Sequence, residues 1–475
     1  MSPESRLSIL EKNRSRLKMG TSARNRIEQL FDEGTFVELD AFCQTYGEGA
    51  GVITGYGLIG GGGAYVFSQD VAVNSGAVDA SHAKKVKRVY ELAAMTGLPI
   101  VGIFDSNGAR LDDVPTALNA YGEMMLDANK VSGVIPQISL VLGTCAGASA
   151  MMACSADFVI MSEQAEFFLN SPRVAENSGT SSPGAGTAQS TAKSGVAHLV
   201  AENDEEAIQL ARKLSACLPQ NNLSLVPEGD YKDPPAGVKA LKTACEAIEY
   251  TAFTDIIPYI VDQDSLLMMT DAYGPNAKIG FATVYGITVM LVGAEKTLGI
   301  DECNKIAYFV NVADCFSIPV ITFLNTDGFS PLNSDELSGS LRHAAKLGHI
   351  YARSTTQKVA VITGKAYGNA YIAMAGKNSG SDFIMAWPSA VISALFPTTA
   401  VAFLAGDLIT SESSRQDAEE QYKVTDASPF TYAAEGYIDS VISPEETRDM
   451  ILTAWDILAG KRINTMDRKH TNMPL

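Results

Sequence analysis

The sequence predicts an α/β protein made of two tandem domains that share one fold and are related by an internal repeat. Apolar strand-like runs alternate with helical patterns along the chain, which is typical of mixed α/β layers. Residues 135–161 run from an apolar strand through a turn of small residues into a short helix and a second strand, and residues 358–387 repeat that order. Corresponding landmarks lie roughly 220 to 229 positions apart, as expected for two copies of one domain.

Composition excludes several function classes. The 475 residues, 46% hydrophobic and 19% charged, are enough for about two or three sizeable cores. Because the chain has no apolar run of about eighteen residues and opens on a polar segment, we expect neither a membrane span nor a signal peptide, and a cytoplasmic location. A net charge of -18 argues against nonspecific nucleic-acid binding, and seven cysteines without a C-x-x-C pair argue against a structural zinc site.

The first half opens with a helical pattern over residues 4–33 that carries a basic cluster, including Arg24 and Arg26. Two readings of this cluster are open: a solvated face or subunit contact, and a contact with the phosphates of a nucleotide-bearing ligand. Residues 55–60 match the G-x-G-x-x-G dinucleotide fingerprint. Since a strand and no helix follows them, we predict a glycine-rich hairpin between two strands over 49–70.

The rest of the first half alternates helices and strands. Helices are predicted over 81–95, 114–130 and 205–218, with a buried strand at 99–105. Residues 177–194 are rich in Ser, Thr, Gly and Ala, and this composition fits either a mobile loop beside a site or an inert surface loop.

The second half repeats the first after a predicted linker at 227–237. We therefore predict domains at 1–230 and 238–475. The equivalent segments are 51–66 with 280–292, 98–103 with 318–323, and the turn after Asp105 with 325–329.

Each half offers a turn of small residues at the start of a helix, at 143–148 and 366–371. Tiny side chains let a ligand approach the free N–H donors there, which suits a thioester carbonyl or an enolate oxygen. Neither turn is flanked by an obvious constellation of His, Asp and Glu residues, and the five histidines lie outside both turns in sequence. We therefore predict catalysis by two oxyanion holes, with a ligand or cofactor supplying the base.

One motif offers an alternative chemistry. Gly143-x-Cys145-x-Gly147 has the shape of a nucleophile elbow with a cysteine nucleophile, which would indicate a thiol hydrolase or acyltransferase. His343 or His349 would then have to activate the thiol. The second turn has no nucleophile at the matching place, which argues against this alternative.

Ordered motifs also run nearly end to end, at 23–30, 55–57, 66–70, 105–110, 132–138, 193–198, 365–368 and 468–475. At these residues the chain resembles the carboxyltransferase (beta) subunits of biotin-dependent acyl-CoA carboxylases. It equally resembles the carboxyltransferase subunits of sodium-pumping decarboxylases.

The resemblance implies two crotonase-like domains of ββα units, arranged in ring-shaped homo-hexamers. In such proteins acyl-CoA lies on the N-terminal domain of one subunit and biotin on the C-terminal domain of a neighbour. Carboxybiotin releases carbon dioxide in a dry pocket, the biotin ureido nitrogen takes the α-proton, and the enolate attacks carbon dioxide.

By position, the resemblance assigns the N–H groups of Gly147 and Ala148 to the thioester enolate. It assigns those of Asn369 and Ala370 to the biotin ureido oxygen, with Gly368 in the same biotin-binding turn.

On the substrate side, the resemblance places Asn107, Gly108 and Ala109 at the acyl-CoA. Ile372 stands where propionyl-CoA-type relatives carry an acidic residue associated with acyl choice, so the acyl group stays open.

Three positions depart from glycine in the family pattern, namely Asn107, Ala148 and Asn369. If these positions need a positive φ, Ala148 is the change expected to disturb its turn most. Residues 325–329 also depart from the family's Asp-Val-Pro-Gly-Phe.

Partners follow from what the chain lacks. It has no Met-Lys-Met biotin-attachment site, so we expect biotin on a separate carrier protein, together with a biotin carboxylase subunit. Two rival functions stay open. One is the decarboxylating direction, from a malonyl- or methylmalonyl-type CoA and with a membrane partner. The other is a non-catalytic, acyl-CoA-binding scaffold subunit.

Overall fold

The computed structural model describes residues 3–17, 20–45, 48–180, 184–247, 252–405, 412–463, 466–467 and 469–474. The chain divides into two compact units, Met1–Ser224 and Leu225–Leu475. Residues 227–237, the predicted linker, lie within the second unit, where the Gly229 N–H donates to the Gly286 carbonyl at 2.8 Å. The Ala236 N–H donates to the Pro258 carbonyl at 3.2 Å, so this segment packs on its own unit.

The first unit is built on a sheet whose antiparallel edge leads into parallel strands. Its strands are β1 (Val37–Leu39), β2 (Gln44–Thr45), β3 (Glu48–Gly49), β4 (Val52–Ile59), β5 (Gly62–Gln69), β6 (Ile100–Phe104), β7 (Gln137–Val141), β8 (Thr144–Ala146), β9 (Phe158–Ser162), β10 (Glu166–Phe168) and β11 (Leu199–Ala201). Its helices are α1 (Pro3–Leu17), α2 (Ser22–Leu30), α3 (Ala80–Thr96), α4 (Val114–Lys130), α5 (Ala148–Cys154), α6 (Pro172–Asn177), α7 (Ala188–Lys193) and α8 (Asp204–Cys217). The main sheet has the order β1-β4-β5-β6-β7-β9-β11, and β8 pairs with β10 in a separate parallel ribbon.

The predicted glycine-rich hairpin is confirmed. Strands β4 and β5 pair antiparallel, and Gly60 and Gly61 close the turn with φ of 57° and 84°, a region that favours glycine. Asp32 holds the turn by accepting the Gly60 and Gly61 N–H groups at 3.1 and 2.8 Å, while Arg212 pairs with the same carboxylate at 2.8 Å. No helix N-terminus follows, so the dinucleotide fingerprint has no pyrophosphate site here.

The helices predicted over 81–95, 114–130 and 205–218 are confirmed to within about a residue at each end, whereas the helical pattern over 4–33 corresponds to two helices, α1 and α2. Helix α3 begins where Asp79 accepts the N–H groups of Ser81 and His82, and it ends at Gly97, whose φ of 65° stops the helix. The small-residue segment 177–194 contains helix α7, and its residues 181–183 lie outside the described residues.

The second unit repeats this plan. Its strands are β12 (Leu267–Met268), β13 (Ala277–Val284), β14 (Ile287–Leu298), β15 (Val320–Phe329), β16 (Lys358–Tyr367), β17 (Phe383–Ala386), β18 (Val391–Ser393) and β19 (Ser440–Val441). Its helices are α9 (Ala240–Ala247), α10 (Phe253–Ile256), α11 (Ile300–Cys315), α12 (Asn333–Leu337), α13 (Ser340–Arg353), α14 (Gly368–Ala375), α15 (Pro397–Ala405), α16 (Glu412–Val424), α17 (Pro429–Ala434) and α18 (Thr447–Leu458). The sheet order is β12-β13-β14-β15-β16-β17-β19, again an antiparallel hairpin followed by parallel strands, with β18 beside the end of β16.

The second unit also has an aspartate that accepts N–H groups of the hairpin turn and pairs with an arginine. Asp262 accepts the N–H groups of Tyr285 and Gly286 at 3.1 and 2.7 Å, and Arg448 pairs with it at 2.6 Å in a fully buried contact. The internal repeat predicted from sequence is therefore present in backbone and side-chain detail.

The one structural finding on membranes is negative. Among the described residues, no helix combines the length and the apolar character needed to cross a bilayer.

Candidate oxyanion-hole turns

The first small-residue turn lies between two short strands and helix α5. After β8 the chain turns at Gly147, whose φ of 60° and ψ of -122° are open to glycine but strained for other residues. Helix α5 starts directly afterwards at Ala148. The first N–H groups of a helix have no acceptor inside it, so those of Ala148 and Ser149 have no partner within helix α5.

The predicted donor role of Gly147 needs a correction. The Gly147 N–H donates to the Phe168 carbonyl at 3.0 Å, continuing the parallel ribbon of β8 and β10. This N–H therefore does not face a ligand in the structure. Ala148 and Ser149 are the next two residues along the chain, and they open helix α5.

The second turn has a glycine with a similar φ at the start of its helix. Gly368 has a φ of 58°, and helix α14 carries Asn369 and the buried Ala370 in its first turn. Aligning the two glycines makes Ala148 equivalent to Asn369 and Ser149 equivalent to Ala370. The predicted donors Asn369 and Ala370 thus occupy the first turn of their helix, where N–H groups are available.

The departures from glycine fall on positions that do not require glycine. Ala148 and Asn369 are helical, and Asn107 does not have a positive φ. Positive φ values belong instead to Gly147, Gly368 and the neighbouring Gly108, whose φ is 101°. The expectation that Ala148 disturbs its turn is therefore wrong, because its backbone is that of an ordinary helical residue.

Two further turns are equivalent to each other. One follows β6 in the first unit, and the other lies within β15 in the second unit. The Ser106 hydroxyl donates to the Gly76 carbonyl at 2.7 Å and accepts the Gly108 N–H at 3.0 Å. In the second unit the Thr326 hydroxyl bonds in the same way, to the Lys296 carbonyl at 2.5 Å and to the Gly328 N–H at 3.1 Å.

The predicted acyl-CoA residues lie on this first-unit turn. Asn107 donates its N–H to the Ser75 carbonyl at 3.1 Å, and Ala109 forms a parallel bridge with Val78. Gly108 has open space around its α-carbon. Asn107 is exposed whereas Gly108 is buried, and the N–H groups of both residues are already used within the turn.

Gly143 and Gly364 have a packing role that was not predicted from the sequence. A Cβ on Gly143 would lie 2.0 Å from Oδ1 of Asp105, and a Cβ on Gly364 would lie 2.4 Å from Oδ1 of Asn325. The carboxyl or amide group of the preceding strand therefore packs directly against these glycines. The signal in the sequence was an Asp or Asn after one strand and a Gly after the next, at matching places in both halves.

Beside the second turn lies a mostly apolar cavity of about 410 Å³. Its wall includes Asn369 and Ile372, and the small residues Ala344, Ala345 and Gly348 of helix α13. Ile372 is 53% exposed, so it presents an apolar surface beside the donors. A cavity of this size holds a small bicyclic or short-chain group.

The burial and protonation of Cys145 argue against the nucleophile-elbow alternative. Burial raises the pKa of this thiol far above its ordinary value, and the nearby Asp105 raises it further. The thiol is fully buried and stays protonated, whereas a nucleophilic cysteine needs an accessible thiolate. His343 is engaged elsewhere, with Nδ1 2.9 Å from Oδ1 of Asn304.

Other titratable groups do not build an acid–base set at the first turn. His82 is buried within helix α3, and Nδ1 of His198 accepts the Val159 N–H at 3.2 Å. Among the described residues, no group of three or more His, Cys, Asp and Glu side chains is placed to hold a metal ion. The backbone N–H donors are therefore the chemistry that the first turn offers.

Comparison with known proteins agrees with this geometry. The family model described as "Carboxyl transferase domain" matches residues 17–473. The chain is 35% identical to methylmalonyl-CoA decarboxylase subunit alpha of Propionigenium modestum, over 98% of this chain and 95% of that protein. It is 36% identical to the mitochondrial propionyl-CoA carboxylase beta chain of Sus scrofa, over 96% of this chain and 88% of that protein.

A solved structure shows the same fold. Transcarboxylase 12S, crystallised as a hexamer with hydrolysed methylmalonyl-coenzyme A, superimposes with a TM-score of 0.92 at 31% identity, covering 100% of this chain and 99% of that one. The predicted α/β fold of two tandem crotonase-like domains is thereby confirmed.

Proposed function

The chain belongs to the carboxyl transferase domain family, and on that premise we propose that it moves a carboxyl group between carrier-bound biotin and the α-carbon of a short-chain acyl-CoA. The observation that carries the proposal is the pair of equivalent turns, one in each unit, each presenting the first N–H groups of a helix beside small side chains. A two-substrate reaction in which both substrates develop negative charge on an oxygen needs two such donor sites.

Each unit serves one substrate in this proposal. The N–H groups of Ala148 and Ser149 stabilise the thioester enolate, and those of Asn369 and Ala370 stabilise the ureido oxygen of biotin. Residues 1–224 thus take the acyl-CoA and residues 225–475 take biotin. The division between the substrates rests on the family resemblance, whereas the donors rest on the two helix starts.

The second turn has room for biotin. Its donors lie beside the apolar cavity of about 410 Å³, and a bicyclic ureido ring needs this combination of a polar edge and an apolar wall. When bound, biotin supplies the carboxyl group and the base that takes the α-proton. The protein's own contribution is to bind and orient both substrates, to exclude water and to hold charge at the two oxygens.

The proposed partners follow from the same premise. A separate biotin carrier and a biotin carboxylase subunit complete the reaction, and six copies of the chain form the assembly seen for transcarboxylase 12S.

The reverse reaction is the second candidate. The similarity to a methylmalonyl-CoA decarboxylase alpha subunit is as extensive as that to carboxylase beta chains, which keeps decarboxylation as a candidate. The scaffold alternative loses its motive, because the altered glycines lie at positions whose backbone suits other residues.

A direct assay tests the proposal. Purified protein is incubated with methylmalonyl-CoA or malonyl-CoA, with and without free biotin, and the CoA thioesters are separated by chromatography. We expect biotin-dependent conversion to propionyl-CoA or acetyl-CoA. If a panel of CoA thioesters binds to the protein but none is turned over in the presence of biotin, the scaffold reading replaces the enzyme.

A further inference from the structure

Arg26 belongs to the basic cluster near the N-terminus, yet its side chain lies inside the first unit. It is 8% exposed on helix α2. Its guanidinium donates to Oδ2 of Asp105 at 2.7 Å, to Oδ2 of Asp204 at 2.9 Å and to the Leu142 carbonyl at 2.8 Å. A buried arginine with this many partners is an element of local structure and is not available to a ligand phosphate.

The partners of Arg26 surround the first small-residue turn. Asp105 directly follows strand β6, and its carboxylate lies against the α-carbon of Gly143. Leu142 is the residue before Gly143, so its carbonyl marks the point where the chain leaves β7 for the turn. Arg26 therefore joins the end of one strand to the start of the segment that carries Ala148 and Ser149.

The second unit has a neutral side chain at the equivalent position. Asn325 stands in place of Asp105, and its Oδ1 accepts the Lys365 N–H at 3.0 Å while packing against Gly364. A neutral amide needs no counter-ion. A carboxylate under a turn that must hold a developing oxyanion does need one, since its charge opposes the enolate.

We propose that Arg26 is a positioning residue for the acyl-CoA turn. Its positive charge offsets that of Asp105, so that the local charge does not oppose the enolate. Its hydrogen bond to the Leu142 carbonyl fixes the Leu142–Gly143 peptide and thereby aligns the N–H groups of Ala148 and Ser149. This inference rests on the proposed function of that turn and adds a residue that touches neither substrate.

The test uses the second unit as its template. Arg26→Met leaves Asp105 as an unpaired, largely buried carboxylate. The double variant R26M/D105N places a neutral amide at that position, as at Asn325, while the second carboxylate partner, Asp204, is more exposed and stays hydrated. We expect kcat with methylmalonyl-CoA and free biotin to fall about 100-fold or more in R26M. We expect the double variant to recover to within about 10-fold of the wild type, with the KM for free biotin unchanged within about 2-fold throughout.

Two further variants keep the test decisive if R26M does not fold. Arg26→Lys keeps the charge but loses the three-way contact, and we expect kcat to fall about 10-fold with a normal melting temperature. Arg24→Met removes a neighbouring arginine that pairs with Glu38 at 2.6 Å, away from the turn, and we expect wild-type kinetics.

The outcomes separate this inference from the proposed function. A wild type without biotin-dependent turnover overturns the proposed function. Turnover in the wild type together with unchanged kcat in folded R26K overturns the role of Arg26. So does a folded double variant that is no better than a folded R26M.

Discussion

The two units share a backbone and differ in the charges placed on it. In helices α3 and α11 the sixth residue is a buried lysine, and each donates to a backbone carbonyl: Lys85 to Val52 at 2.8 Å and Lys305 to Thr270 at 2.9 Å. Around the turns the match ends, because Thr144 in the first unit corresponds to Lys365 in the second. Two copies of one domain have thus kept their structural lysines and changed their site.

The difference between the side chains around the two turns indicates which groups carry the chemistry. Lys365 pairs with Asp327 at 2.8 Å in the second unit, while the corresponding first-unit side chains are the neutral Thr144 and Asn107. The turn glycines Gly147 and Gly368 nevertheless have almost the same φ, 60° and 58°. What both units preserve is a set of N–H donors, which a side-chain replacement leaves intact.

The largest predicted effect comes from removing one donor in either unit. Ala148→Pro and Asn369→Pro each delete one N–H in the first turn of a helix, where proline is tolerated. We expect kcat to fall about 100- to 1000-fold in both, as for loss of an oxyanion-hole donor. Steady-state kinetics with methylmalonyl-CoA and free biotin measure the change.

Matched controls keep the N–H and change only the side chain. Ala148→Gly and Asn369→Ala are expected to stay within about 5-fold of the wild type. If N369P raises the KM for free biotin and A148P does not, the two units divide the substrates as proposed. Proline variants with wild-type kcat would remove the turns from the mechanism.

The second prediction concerns the loss of folding stability at acid pH and involves the third residue of helices α3 and α11. In α3 this is His82, whose burial lowers its pKa from 6.5 to about 4, with Lys85 lowering it further and Asp79 opposing. In α11 it is Glu302, which caps its helix by accepting the Gly299 N–H at 2.9 Å. Since the unfolded chain binds a proton at His82 near pH 6.5 and the folded chain only near pH 4, stability present above pH 6.5 is lost as the pH falls.

The size of this loss follows from the shift. It approaches about 3 kcal/mol at pH 4, at roughly 1.4 kcal/mol per pH unit. His82→Gln removes the titration, so the gap between variant and wild type in urea unfolding should shrink or reverse between pH 7 and 4.5. Parallel curves at all pH values would contradict it.

The third prediction compares the glycines beneath the turns. Gly143→Ala drives a Cβ into the carboxylate of Asp105, which Arg26 holds in place, and we expect a loss of about 1 to 3 kcal/mol in the free energy of unfolding. Gly364→Ala meets the amide of Asn325 at 2.4 Å, which is neutral and is not held by an ion pair like that of Asp105 with Arg26, so a smaller loss is expected.

Gly122 supplies the control for these alanine variants. It lies inside helix α4 with nothing near its α-carbon, so Gly122→Ala should stabilise the protein by about 0.5 to 1 kcal/mol. Equal stability changes at all three positions would show that the turn glycines are not sterically constrained.

Much of the secondary structure could be predicted from the sequence, because helices and strands leave periodic patterns of apolar residues. The helix predicted over 114–130 matches α4 residue for residue, and the hairpin at 49–70 follows from a strand where a helix would be needed. The bond from Gly147 to Phe168 could not be read, because β8 and β10 are three residues each and too short to show a period. The inward turn of Arg26 was equally hidden, since a basic cluster on a helix does not indicate which members find buried carboxylates.

The smallest predicted effect concerns the strands that lead into the two turns. Gln137 begins β7 and donates through Nε2 to the Ala128 carbonyl near the end of α4 at 3.1 Å. Its counterpart Lys358 begins β16 and donates to the Tyr351 carbonyl at 2.9 Å and to the Ser354 carbonyl at the end of α13. Both side chains satisfy helix C-terminal carbonyls, one as an amide and one as an ammonium.

The variant Lys358→Gln therefore tests whether the positive charge of this side chain contributes to folding stability. Burial lowers the pKa of Lys358 to about 8, so the ammonium is held at a desolvation cost that partly offsets its attraction to the helix end. We expect the glutamine variant to lose about 1 kcal/mol or less, and Lys358→Met, which leaves both carbonyls without this donor, to lose about 1 to 3 kcal/mol. Urea unfolding of the two variants measures the difference. Equal losses would mean that the ammonium charge, and not the hydrogen bond shared with Gln137, stabilises this helix end.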